Sequence, residues 1–120
     1  MARAPEGWHS VTPRIVVDDP RVLVDFLRRT FAATGDIPAD RPAVIQIGDS
    51  RIMISAAGPR PATAAFLYVY VDDADASYQR ALAAGARSLE EPTDTPYGDR
   101  RAMVEDRWGN VWQIATFEPG

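Results

Sequence analysis

The side chains suited to chemistry are few, and they sit in short, separate stretches. Glu105 to Thr116, EDRWGNVWQIAT, follows a Trp108-Gly109-Asn110 turn with an apolar run interrupted by one polar residue, Gln113. A primary amide there can touch a ligand as donor and acceptor, weakly ligate a cation, or face water. Phe66 to Tyr70, FLYVY, alternates aromatic and aliphatic residues. Asp99 and Arg100 in YGDR have the look of a catalytic pair, but beside Gly98 they read as a structural ion pair pinning a loop. Asp18-Asp19 and Asp72-Asp73 resemble carboxylate pairs for acid–base work. Each precedes a helical pattern, where capping and the positive end of the helix dipole account for it. Glu90-Glu91 reads as a solvated loop run.

Composition removes several classes of activity. The 120 residues contain no cysteine, which excludes disulfides, thiolate metal sites and a cysteine nucleophile. With one histidine, His9, a Ser-His-Asp triad or a two-histidine metal site within one chain is hard to assemble. A net charge of −4 argues against nucleic acid as a partner. No apolar run approaches the roughly 20 residues of a membrane span, and the N-terminus lacks the apolar core of a signal peptide. A cytoplasmic location is expected, with no membrane association.

The elements that must position these residues form a repeated pattern. Val11 to Val17 is a β-branched run, followed by Asp19 as N-cap, Pro20 at the first helical position, and an apolar stripe of Val22, Leu23, Phe26, Leu27 and Thr30. The order returns 54 residues later, since Val16-Val17-Asp18-Asp19 aligns with Tyr70-Val71-Asp72-Asp73 (70 − 16 = 54). That second helix runs to about Ala84, with Gly85 suited to the left-handed position beyond it. Each copy ends in two strands around a turn: AVIQI and RIMIS flank Gly48-Asp49-Ser50, and RAMVE and VWQIA flank Trp108-Gly109-Asn110. A further short strand is expected near Arg87 to Leu89, whereas its counterpart, Thr34 to Arg41, reads as loop.

Read together, VVDDPRVLVDFLRRTF, YVYVDDADASYQRALAAGA, TPYGDRRAMVEDRWGN and VWQIAT resemble the vicinal-oxygen-chelate superfamily of glyoxalase I, bleomycin-resistance proteins and extradiol dioxygenases. The resemblance covers roughly Val11 to Phe117. It implies an α+β fold in which two βαβββ modules, about 10–58 and 64–118 of a single domain, form a curved eight-stranded mixed sheet around a cavity. It also implies a homodimer. Metal-dependent members carry four His or Glu ligands. Those positions fall here at about Thr12, within Ile52 to Ser55, at Phe66 and at Gln113, and none offers a strong ligand for a divalent cation. The expectation is therefore no metal and no cofactor.

Strand alternation then sorts the faces. Thr12, Arg14 and Val16 would face the cavity from the first strand, as would Phe66, Tyr68 and Tyr70 from the fourth. Val111, Gln113 and Ala115 would join them, with Trp112, Ile114 and Thr116 beneath the helices and Trp108 in the turn. Three aromatics on a concave sheet make a platform for a flat apolar ligand, although the same stripe suits a dimer interface or a filled core. The favoured reading is a metal-free protein that sequesters an aromatic or amphiphilic natural product, in the manner of a drug-resistance protein. Its contacts would be Thr12, Arg14, Phe66, Tyr68, Tyr70, Trp108 and Gln113, with no catalytic residue. The alternative is a metal-dependent lyase, isomerase or dioxygenase of the same superfamily. A metal-free cyclase or isomerase using Arg14 or Tyr70 ranks last, because the cavity holds no clear general base.

Overall fold

Asp19 and Asp73 each end an extended segment and start a helix. In the computed structural model, which describes residues 4–118, strand β1 (Arg14–Val17) leads into helix α1 (Pro20–Phe31). The Asp19 carboxylate accepts from the Arg21 amide at 3.2 Å, and Pro20 occupies a position where no N–H is needed. Likewise β2 (Ala43–Ile47) and β3 (Ser50–Ala56) precede β4 (Phe66–Tyr70), which leads into α2 (Ala74–Ala83). Here the Asp73 carboxylate accepts from the Ala76 amide at 3.1 Å. Strands β5 (Arg87–Asp94), β6 (Asp99–Glu105) and β7 (Val111–Phe117) complete an α+β fold. Among the described residues no helix is long and apolar enough to cross a membrane.

The strands form two sheets with the same order of equivalents, β1-β3-β2 and β4-β7-β6-β5. In each, the first strand pairs in parallel with the last, and the hairpin is antiparallel, so both sheets are mixed. Among the described residues seven strands form, one fewer than the resemblance implies, the absent one falling at Thr34 to Arg41, where the sequence reads as loop. In the first sheet the missing partner is reduced to a single bridge, Thr34 to Gln46. Gly35 there lies at φ 126°, where a Cβ would sit 2.3 Å from the Val44 carbonyl oxygen, and Pro38 and Pro42 interrupt any longer ladder. In the second sheet the opposite correction applies. The short strand expected near Arg87 to Leu89 runs on to Asp94 through two register shifts, which places Glu90 and Glu91 in a strand and not in a loop.

The chain divides into two compact units, one reaching Arg28 and resuming over Ala32–Thr63, the other comprising Arg29–Phe31 and everything from Ala64. In the first, Ile15, Val17, Ile45, Ile52 and Ile54 are buried together with Leu23, Val24 and Leu27 of α1. The helix stripe is turned slightly from its expected position: Val24 is fully buried, whereas Val22 is exposed. In the second, Trp112, Ile114, Ala102 and Val104 are buried with Ala74, Ser77, Tyr78 and Ala81 of α2. Phe31 adds a tilted ring contact to Trp112 at 5.6 Å between centroids.

The β6–β7 connection is organised by one carboxylate, that of Asp106. Buried Asp106 accepts from the backbone amides of Trp108 and Asn110, from the Asn110 side-chain amide and from the Trp112 indole, all within 3.0 Å. Asn110 in turn accepts from the Ala65 amide at 2.8 Å, which ties the loop to the start of β4. The Asp106→Ala change leaves buried donors without an acceptor. It is expected to destabilise the protein by about 3 kcal/mol in chemical denaturation, while Asp40→Ala, at an exposed ion pair, shifts it by less than ~0.5 kcal/mol.

Candidate functional site

The register of the second sheet decides which side chains share a face. Tyr68 lies opposite Gln113, which lies opposite Met103; Phe66 pairs with Val111 and then Glu105, and Tyr70 with Ala115 and then Arg101. Directly paired residues point to the same side, so Phe66, Tyr68, Tyr70, Gln113, Met103, Arg101 and Asp99 occupy the face opposite the buried Trp112 and Ile114. Phe66, Tyr68 and Tyr70 are 66%, 37% and 60% exposed, so within its own unit this aromatic face is uncovered. Ala115, flanked by Tyr70 and Arg101, is on that face but fully buried.

Asp99 is the electrostatic centre of this face. The residue is 3% exposed, and one carboxylate oxygen, Oδ2, accepts from both the Tyr68 hydroxyl at 2.6 Å and the Tyr70 hydroxyl at 3.0 Å. The two rings meet at 5.4 Å in a tilted arrangement. Thr95 holds the strand end, its hydroxyl accepting from the Asp99 amide and donating to the Asp99 carbonyl oxygen. A cavity of about 390 Å³ opens beside it, lined by Asp94, Thr95, Pro96, Gly98, Asp99 and Glu118. Arg101 donates to both carboxylate oxygens of Glu90, at 3.0 and 3.3 Å, and to the Tyr97 hydroxyl at 2.7 Å. Its charge is thereby balanced by a strand neighbour.

The ion pair expected between Asp99 and Arg100 does not form. Adjacent residues of a strand point to opposite faces, so Arg100 turns toward α2 and grips Asp75 in its first turn with two bonds of 3.0 and 3.1 Å. Arg100 thus pins a helix, and it holds the Asp75 carboxyl below the usual carboxylate range. Alternation along DRRAMVE already carried the signal for this split. It puts Asp99, Arg101 and Met103 on one side and Arg100, Ala102 and Val104 on the other.

The residues expected at a site do not all meet. Phe66, Tyr68, Tyr70 and Gln113 come together on the second sheet, and among the described residues the Gln113 amide makes no side-chain hydrogen bond. Trp108 lies in the Asp106–Asn110 loop, half-buried, with the Arg107 guanidinium 5.3 Å from its ring centre. Thr12 and Arg14 belong to the first unit. Thr12 is half-buried just ahead of β1, which starts at Arg14 and not at Val11. Arg14 is exposed and donates through Nε to the Ser55 hydroxyl at 2.8 Å.

The donor set does not fit a divalent metal. Register identifies the first-unit counterpart of Gln113, because Arg14 pairs with Met53 as Tyr68 pairs with Gln113. The four positions to which the resemblance assigns metal ligands therefore hold a threonine hydroxyl, a methionine thioether, a phenyl ring and a neutral amide, with no imidazole or carboxylate among them. Among the described residues no three of His, Cys, Asp and Glu are placed to hold a metal ion, and His9 is exposed ahead of β1.

The shared carboxylate affects both phenols. Burial first, then the hydrogen bond to Asp99, pushes the Tyr68 hydroxyl well above its ordinary range; for Tyr70 the Asp99 bond is the larger cause. The folded state then keeps protons that the unfolded chain releases near pH 10, so the contribution to stability is complete below that pH and is lost as pH rises further. Asp99→Asn is expected to lower both phenol midpoints toward that of free tyrosine, followed by ultraviolet absorbance of tyrosinate, and to flatten the alkaline loss of stability.

Three comparisons bear on this arrangement. Residues 9–114 match the model of the glyoxalase/bleomycin resistance protein/dioxygenase superfamily. An uncharacterized protein of Mycobacterium bovis is 28% identical, the match covering 88% of this chain and 81% of the relative. Among solved structures, TioX from Micromonospora sp. ML1 superposes with a TM-score of 0.76 at 24% identity, covering 93% of this chain and 98% of that one. The fosfomycin resistance protein FosX from Mesorhizobium loti gives 0.67 at 19% identity, covering 90% and 91%. At these identities the two structures establish a shared fold.

Proposed function

Because this chain belongs to the glyoxalase/bleomycin resistance protein/dioxygenase superfamily, we propose that it is a metal-free binding protein that sequesters an aromatic or amphiphilic small molecule. The observation that carries this reading is the uncovered aromatic face of Phe66, Tyr68 and Tyr70 beside an unengaged Gln113 amide. Aromatic rings bind a planar apolar ligand over a large area with little loss of side-chain freedom. Polar groups then fix its orientation. Both phenol protons are committed to Asp99, so the two phenol oxygens offer lone pairs only. The ligand group that meets them must be a donor, such as an amine, an amide or a hydroxyl. The buried negative charge of Asp99 and the acidic cavity beside it favour a cationic donor.

A resistance-type role accords with the name of the family and with a fosfomycin resistance protein among the proteins of similar fold. A homodimer is expected from the family resemblance. The metal-dependent alternative asks for ligands that Thr12, Met53, Phe66 and Gln113 do not supply.

Calorimetric titration with bleomycin, a cation with a planar aromatic segment, tests the reading against fosfomycin, which has no aromatic ring. Bleomycin is expected to bind and fosfomycin not. Tyr68→Ala should weaken bleomycin binding at least tenfold, and Tyr68→Phe, which keeps the ring but removes one acceptor, by several-fold. Unchanged affinity in both variants would sink the assignment of this face. Metal analysis of protein purified without chelator is expected to find far less than one divalent ion per chain.

A further inference from the structure

The first unit has an open face of a different character. Its sheet turns Arg14 and Val16 of β1 and Arg51, Met53 and Ser55 of β3 away from the buried Ile15, Val17, Ile52 and Ile54. Over the end of this sheet, the segment after β3 folds back on β1. The Ala57 amide donates to the Val17 carbonyl at 2.8 Å and the Thr63 amide to the Val16 carbonyl at 3.2 Å. The fold-back leaves a cavity of about 670 Å³, whose lining includes Arg14, Val16, Ser55, Pro59, Arg60 and Thr63 and, among the described residues, no acidic one.

In a chain of net charge −4, two guanidinium groups facing one cavity without a carboxylate call for an explanation. Elsewhere the arginines are largely spent: Arg87 pairs with Glu105, Arg100 with Asp75 and Arg101 with Glu90. Among the described residues the Arg60 side chain has no ion pair or hydrogen bond, and Arg14 is engaged only through Nε, by Ser55 at 2.8 Å. That bond orients the guanidinium and leaves its two terminal nitrogens as a fork. The fork matches the paired oxygens of a carboxylate or a phosphoryl group. Ser55 accepts from Arg14, so its own proton remains available to the same anion. Arg60 lies between Pro59 and Pro61, both of which restrict the backbone, so its position is held at small entropic cost. Val16 and the prolines supply an apolar wall for the rest of a ligand.

We propose that this cavity of the first unit is a binding site for the oxyanion group of a small molecule, a carboxylate or a phosphoryl group, gripped by the Arg14 fork and by Arg60. The proposal rests on the first unit alone and stands whether or not the aromatic face of the second unit binds a ligand.

Calorimetric titrations with phenylphosphonate, benzoate and benzamide at one fixed ionic strength test it. Both anions are expected to bind, with the tighter of the two identifying the oxyanion, and benzamide at least tenfold more weakly than either. Arg14→Gln and Arg60→Gln should each weaken the anions at least tenfold, and Arg14→Lys, which keeps the charge without the fork, by several-fold. Arg60 stands on an exposed loop, so its variant carries the test even if Arg14→Gln fails to fold. Equal binding of benzamide, or anion binding unchanged in Arg60→Gln, overturns the proposal. So does anion binding that is lost in Tyr68→Ala but kept in both glutamine variants, since the anion would then sit on the second unit.

Discussion

The buried carboxylate of Asp106 is the interaction on which the second unit depends. It gathers two backbone amides, one side-chain amide and the Trp112 indole around a single anion. A five-residue connection between β6 and β7 could close in more than one register, and a slip of one residue would turn every side chain to the opposite face. The bond from the Trp112 indole to a carboxylate inside the loop removes that freedom. It holds Trp112 on the helix side, and the alternation of the strand then delivers Gln113 to the open side beside Tyr68.

On the open face, charge and proton placement follow from the same geometry. Asp99 is buried yet tolerable as an acceptor because two phenols donate to one of its oxygens. The phenols consequently lose their donor capacity, which sets the polarity a ligand must have. Arg101 lies on the same face but is turned to Glu90 and Tyr97, so it does not cancel Asp99. The two sheets share an order of strands and not a surface. The first unit presents Arg14, Met53 and Ser55 where the second presents Tyr68, Gln113 and Ala115. A duplicated scaffold has thus become two faces of different chemistry, in keeping with the general rule that function lies in the residues a fold carries more than in the fold.

Much of the architecture was legible in the amino acids. The repeat of strand, Asp cap and amphipathic helix at an offset of 54 residues is written in Val16 to Asp19 and Tyr70 to Asp73 (70 − 16 = 54). Capping and periodicity are local, so they survive without knowledge of the partners. The face of FLYVY was equally plain, because alternation needs only the strand itself. Sequence and structure part where a residue's neighbour is distant along the chain. Asp99 adjoins Arg100 in sequence, yet strand geometry separates them and gives Asp99 to Tyr68 and Tyr70, some 30 positions away. Glu90 read as solvated loop because its ladder partner, Met103, and its ion-pair partner, Arg101, lie on another strand.

What the sequence determined by itself is therefore the set of elements, their order and their duplication, since each depends on residue type at a local spacing. Tertiary structure alone decided how the charges are partnered. It joined two tyrosines to one buried aspartate, committed Arg100 to a helix and Arg101 to a strand, and left Arg14 and Arg60 facing a cavity. Electrostatic partnership acts over a few ångströms in space and is indifferent to separation along the chain, so only the folded arrangement could reveal it.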